Sequence, residues 1–224
     1  MNTGQRNDGN METTFTYELR QPKNIEERKK YPALFVMHGM GSNEQNMLQL
    51  VDGLEEKFFI FSVRGHLPQP PGFAYFTIQG FGKPHREVFD NTVEKLTTFI
   101  DAASIEYPLD ESSIYLLGFS QGAILDMTIG LTFNHKIKGV VALSGYLPHF
   151  VKEQYSIKPS EKLSVFISHG ELDPIFPLAW GTANVEFFNQ LGTDVTFKTY
   201  TEGHTVSAEN LRDFREWLLN DLAK

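Results

Sequence analysis

The chain has no cysteine among its 224 residues, which removes disulfides, thiolate metal ligands and a cysteine nucleophile together. This fits a reducing compartment, and the expected location is cytoplasmic. No apolar run approaches the ~20 residues needed to cross a bilayer, so neither a transmembrane helix nor stable membrane insertion is expected. Met1 to Asn10 is polar and rich in Gly and Asn, with no apolar stretch and no small-residue cleavage site, and it does not read as a signal peptide. Positive charge is also scarce. Lys and Arg number 20 against 28 Asp and Glu, for a net charge of -8, and no basic patch of the kind that grips nucleic acid or an anionic membrane is present. The one basic cluster, Arg28-Lys29-Lys30, follows Glu26-Glu27 and reads as a solvated loop. His-Glu-x-x-His and clustered ligand sets are missing, so no metal is expected.

Hydrophobic residues make up 41% and charged residues 21% of the chain, enough apolar material for one sizeable core at this length. Residues 1–11 read as a polar tail and 12–224 as a single domain. Within that domain two periodicities alternate. Ala33 to Met37, Phe58 to Val63, Ile114 to Leu117, Gly139 to Leu143 and Leu163 to Ile167 are short, continuous apolar runs, the pattern of strands buried on both faces of a parallel sheet. Thr13 to Leu19 alternates instead and is expected at an antiparallel edge.

Between the strands lie helical patterns. From His85 to Glu106, Phe89, Val93, Leu96, Ile100 and Ala103 recur at intervals of four, three, four and three, forming one stripe. Leu211, Phe214, Leu218 and Leu222 do the same, with Ser207 as N-cap. Asn43 to Glu56, Gln121 to Phe133 and Leu178 to Leu191 also fit helices. The alternation predicts an α/β fold, a mostly parallel central sheet flanked by helices on both faces, with its functional site beyond the carboxyl ends of the strands.

Gly118-Phe119-Ser120-Gln121-Gly122 follows directly on the strand Ile114 to Leu117 and opens a helical segment. This is G-x-S-x-G in the strand–turn–helix context of the α/β-hydrolase nucleophile, where a tight turn exposes the serine Oγ and glycines leave room for it. A plain structural turn is the competing explanation, so partners are required. A serine needs a base, and the base an orienting acid, in the chain order Ser, acid, His. Asp173 lies just past the strand Leu163 to Ser168, and His204 just past the strand-like run Val195 to Tyr200. Glu171 remains an alternative acid. Asp126 lies within the helix after Ser120 and Asp194 precedes a strand, and His38 and His169 fall outside the order. His38-Gly39-Met40-Gly41 ends the first buried strand, and we assign the oxyanion donors to the amides of Met40 and Gln121. A nucleotide-phosphate loop is disfavoured, because a third glycine and a P-loop lysine are both missing. Two irregular stretches, Gly65 to Pro84 with Phe73, Tyr75, Phe76 and Phe81, and Gly145 to Phe150 with Tyr146 and Leu147, carry the aromatic and apolar side chains expected around a substrate pocket.

His38-Gly39-Met40-Gly41, Gly118 to Gly122, Ala142-Leu143-Ser144-Gly145-Tyr146-Leu147-Pro148, His169-Gly170-Glu171-Leu172-Asp173-Pro174 and Gly203-His204 together resemble the small carboxylesterases and lysophospholipases that include acyl-protein thioesterases, within the α/β-hydrolase superfamily. The resemblance runs from about Tyr31 to the C-terminus. It implies cofactor-free hydrolysis of small-molecule carboxylic esters or thioesters, often of short to medium acyl chains, by Ser120, Asp173 and His204, and a homodimer as in several members. Ala74-Tyr75-Phe76-Thr77 stands where members often carry Trp-Phe-Asp. Ile175-Phe176 replaces a Val-Val or Leu-Val pair, which adds Phe176 to the expected substrate contacts. These departures bear on substrate preference. Action on amides, or a non-catalytic ligand-binding role on the same fold, stays open at this level.

Overall fold

A computed structural model describes residues 15–133 and 135–224. The expected tail at 1–11 and the start of the alternating run at Thr13 lie outside the described residues. In chain order the elements are β1 (Tyr17–Arg20), β2 (Tyr31–Met37), α1 (Glu44–Leu48), β3 (Phe59–Val63), the short strands β4 (Leu67–Gln69), β5 (Gly72–Ala74), β6 (Ile78–Gly80) and β7 (Lys83–Pro84), α2 (Arg86–Glu106), β8 (Leu109–Phe119), α3 (Gln121–Thr132), β9 (Ile137–Leu143), α4 (His149–Gln154), β10 (Ser164–Gly170), α5 (Leu178–Gln190), β11 (Asp194–Tyr200) and α6 (Ala208–Leu222).

Seven strands form one sheet in the order β1-β3-β2-β8-β9-β10-β11. All neighbours in it are parallel except β1, which pairs antiparallel with β3 at the edge. The continuous apolar runs are explained by what covers each face. Along β2, Ala33, Phe35 and Met37 pack into a core shared with α2, α3 and α5, while Leu34 and Val36 point the other way, into a core completed by α1 and α6. Phe35 stacks on Phe61 of β3 with centroids 4.8 Å apart. Each such fully buried side chain contributes about 1.5–3 kcal/mol of burial.

The helices follow their stripes. In α2, Phe89, Leu96, Ile100 and Ala103 are buried, and in α6 Phe214 and Leu218 are, with Ser207 capping through a hydrogen bond from the Asn210 amide. α3 is buried from Gln121 through Leu131, as suits a helix with apolar residues on every side. The expected helix from Asn43 to Glu56 is broken: α1 gives way to 3-10 turns at Gln49–Val51 and Leu54–Glu56, because Gly53 at φ 84 reverses the chain between them. The irregular stretch after β3 folds into two small hairpins, β4–β5 and β6–β7.

Asp126 on α3 is fully buried, with neither carboxyl oxygen hydrogen-bonded among the described residues. Burial pushes its pKa well above the ordinary carboxylate value, so the native state holds it as the neutral acid. An acid whose pKa is raised on folding adds its full stability below the unfolded value and loses it as pH rises towards the folded value. Asp126→Asn should therefore melt higher than the parent chain, with a gap that is smallest near pH 4 and widens as the pH rises towards 8. Thermal melts across that range that show a constant or reversed gap would contradict the protonated state.

Candidate active site

The turn from β8 into α3 is as tight as its glycines allow. Ser120 sits at φ 55, in the left-handed region that costs a non-glycine residue about 1–3 kcal/mol. Its amide donates to the Leu143 carbonyl on β9 at 2.9 Å, and its own carbonyl accepts from the Ile124 amide at 3.1 Å. A Cβ on Gly118 would lie 2.3 Å from the backbone of Gly122, and one on Gly122 would lie 2.1 Å from the Met37 carbonyl oxygen. Both contacts are shorter than atoms tolerate, so helix and sheet approach this closely only without side chains at these two positions.

The three strand-end residues meet. The Ser120 hydroxyl lies 2.9 Å from Nε2 of His204, and Nδ1 of His204 lies 2.7 Å from Oδ2 of Asp173. With the carboxylate accepting at Nδ1–H, Nε2 is left as the acceptor facing Ser120. Oδ1 of Asp173 accepts from the amides of Ile175 and Phe176 at 2.8 and 2.9 Å. Burial alone would raise this carboxyl, but the His204 hydrogen bond and the two amides outweigh it and hold the pKa below the ordinary value, so Asp173 is ionised near neutrality. The His204 ring lies between Phe119, at 4.9 Å, and Phe176, at 5.2 Å edge-on, which shields it from bulk water and restricts its rotation.

The rival residues stand outside the Ser120–His204–Asp173 line, although Nε2 of His169 comes within 3.7 Å of Oδ2 of Asp173. Glu171 accepts from Thr199 and Thr201 at the surface, Asp194 pairs with Lys224, and Asp126 is buried behind the turn. His169 is buried and bonds the Phe176 carbonyl at 2.9 Å through Nε2. His38 bonds backbone on both ring nitrogens.

Beside Ser120 opens a cavity of about 210 Å³, lined by Gly39, Met40, Phe76, Ile78, Phe81, Phe119, Ile124, Tyr146, Ile175 and Phe176 together with Ser120, Gln121 and His204. Met40 and Gln121 line the cavity together with Ser120. A Cβ on Gly39 would lie 3.3 Å from that of Ser120, so the loop after β2 runs directly against Ser120. The Gln121 amide, in the first turn of α3, has no helical acceptor.

Of the expected pocket side chains, Phe76, Phe81, Tyr146 and Phe176 line the cavity, whereas Phe73, Tyr75 and Leu147 do not. Phe73 packs under the Arg64 guanidinium at 4.7 Å, itself held by a two-pronged bond to Glu44. Leu147 turns inward while its amide donates to Asn184. Tyr75 is fully buried, its hydroxyl donating to the Val63 carbonyl at 2.6 Å. The reason is common to all three: a short loop anchored by backbone hydrogen bonds sends successive side chains to opposite sides, and composition does not say which. Ile78, Phe119, Ile124 and Ile175 also line the cavity and were not among the expected contacts. Ile124 stands one helical turn after Ser120, so the i, i+4 spacing carried that signal, whereas nothing local marks Ile78.

Residues 24–220 match the family model described as Phospholipase/Carboxylesterase. The acyl-protein thioesterase 1 of Candida albicans is 29% identical over 92% of this chain and 98% of its own length. That of Mycosarcoma maydis is 29% identical over 85% and 91%. Among solved structures, the Bacillus cereus carboxylesterase superposes with a TM-score of 0.82 at 23% identity over 92% of this chain and 94% of its own. A carboxylesterase from Mesorhizobium loti superposes with 0.80 at 20% identity over 93% and 96%. With its mostly parallel sheet, its G-x-S-x-G turn and a family match across nearly its whole length, the chain belongs to the phospholipase/carboxylesterase family of α/β-hydrolases.

Proposed function

We propose that the protein hydrolyses carboxylic esters and thioesters of short acyl chains through an acyl-enzyme on Ser120. The observation that carries this reading is the unbroken hydrogen-bonded line Asp173–His204–Ser120, ending at the mouth of an apolar cavity. Names of relatives such as acyl-protein thioesterase 1 support thioesters as well as oxygen esters.

In this mechanism Nε2 of His204 takes the hydroxyl proton as Oγ of Ser120 attacks the acyl carbonyl. Asp173 holds the imidazole in the required tautomer and stabilises the imidazolium. The carbonyl oxygen becomes an anion within reach of the Met40 and Gln121 amides, where the start of α3 adds its favourable dipole. Collapse breaks the carbonyl bond to the alkoxide or thiolate, which leaves with the proton carried by His204. Water, deprotonated by the same imidazole, then cleaves the acyl-enzyme and restores the serine. The cavity is smaller than the ~300–1,000 Å³ of pockets that hold drug-sized ligands, which favours short acyl groups between Phe76, Ile124, Tyr146 and Phe176.

Ser120→Ala is expected to leave the fold intact and reduce hydrolysis of p-nitrophenyl butyrate to background. Turnover near that of the parent enzyme would remove Ser120 from the mechanism. Asp173→Asn should leave KM nearly unchanged and lower kcat by about 10⁴, because an amide favours the wrong imidazole tautomer. Across p-nitrophenyl acetate, butyrate, octanoate and laurate, kcat/KM should peak at the shorter chains, and a maximum at laurate would contradict the cavity size.

A further inference from the structure

Tyr75, expected at the pocket, instead engages every polar group it owns inside the protein. Its hydroxyl donates to the Val63 carbonyl at 2.6 Å and accepts from the His38 amide at 3.2 Å. Its amide donates to Oε1 of Gln121 at 2.9 Å, and its carbonyl accepts from the Thr92 hydroxyl at 2.7 Å. The ring lies against that of His38, with centroids 4.8 Å apart. A phenylalanine would fill the same volume, so packing alone does not account for a hydroxyl here, where burial makes its ionisation unfavourable.

Followed outward, these contacts reach both amides assigned to the oxyanion. On one side, Nδ1–H of His38 donates to the Gly39 carbonyl at 2.7 Å, and Nε2 accepts from the Gly65 amide at 2.9 Å. Both bonds require the neutral ring protonated at Nδ1. Burial, the largest influence, lowers the pKa of this ring; Arg64 acts in the same direction, and Glu44 and the Gly39 hydrogen bond oppose it. The Gly39 carbonyl and the Met40 N–H belong to the same planar trans peptide. Gripping that oxygen therefore sets the direction in which the Met40 N–H points. On the other side, the Gln121 side chain accepts from the Tyr75 amide and donates to the Phe76 carbonyl at 2.7 Å. The residue carrying the second donor is thereby pinned to the same segment.

We propose that Tyr75 is a positioning residue for the oxyanion hole, tying the β2–α1 loop to the start of α3 so that two amides from separate elements keep a fixed relation to Ser120. The proposal rests on the assignment of Met40 and Gln121 made above. Donors held in advance are worth more than donors that must reorganise during the reaction, and the bonds of Gly41 and Ser42 to Phe73 join the same loop to the same segment.

Tyr75→Phe tests it, with rates expressed per Ser120 titrated by a fluorophosphonate, so that misfolded protein is not counted. Removing one oxyanion donor outright typically costs about 10²–10³ in kcat, and loosening one should cost less. The expectation is a fall in kcat of about tenfold with KM within about twofold. A trifluoromethyl ketone, which forms an oxyanion on Ser120, should lose affinity by the same factor as kcat/KM. A purely structural hydroxyl would lower the melting temperature and leave both quantities, per active site, unchanged; that outcome overturns the proposal. If Tyr75→Phe does not fold, His38→Asn and His38→Gln decide. Asparagine retains a donor near the Nδ1 position and glutamine does not, so the proposal requires higher kcat for asparagine, and equal or reversed values overturn it. Parental activity in Ser120→Ala would count against the serine mechanism itself, which no result with these variants imitates.

Discussion

The turn at Ser120 places a residue with a side chain in the left-handed region, between a strand and a helix whose backbones nearly touch. Gly122 lies against the Met37 carbonyl and Gly118 against Gly122, with no room for a Cβ at either. The first turn of α3 therefore starts at Ser120, and the loop after β2 passes directly beside it. Each later requirement of the site depends on this approach. The Gln121 amide is exposed at a helix start, Met40 comes from the neighbouring strand end, and Ile124 on the same helix forms a wall of the cavity. The strain of the turn is compensated by its surroundings: the Ser120 amide and carbonyl are both hydrogen-bonded, and α3 is buried along nearly its whole length.

Around this turn, three histidines show how environment assigns a role to one residue type. His204 is partly exposed, faces a carboxylate on one nitrogen and a hydroxyl on the other, and can exchange its proton. His38 is buried, uses both nitrogens on backbone groups, and is kept neutral, so it can only hold a loop in place. His169 is buried as well, and secures the Phe176 carbonyl in the same turn whose amides bind Asp173. Supporting the turn around Asp173 from one side and the loop after β2 from the other leaves little freedom for the residues between them.

Asp126 runs against this economy. It is a buried acid without a hydrogen-bond partner among the described residues, directly behind Gly118, and it makes no contact with the Ser120–His204–Asp173 line. Its cost falls on stability, since the neutral form must be maintained in the native state.

The sheet, its single antiparallel edge and the long helices were legible from residue patterns, because burial on one face or two imposes a period on the chain. The positions of Ser120, Asp173 and His204 past three strand ends were legible for a related reason: parallel strands bring their carboxyl ends to one side. The broken helix after Asn43 was less so, since a left-handed Gly53 interrupts an otherwise helical pattern. Which loop aromatics face the cavity was legible only in part: Phe76, Phe81, Tyr146 and Phe176 do, and Phe73 and Tyr75 do not. Phe73 and Tyr75 differ in local sequence by little, and they take their directions from Arg64, His38 and Gln121, residues distant in the chain. Periodicity is a property of neighbours along the chain, so residue order alone sets the layers, the succession of elements and the residue types that stand past the strand ends. The direction of each loop side chain depends on hydrogen bonds closed between distant segments, and these exist only once the chain has folded.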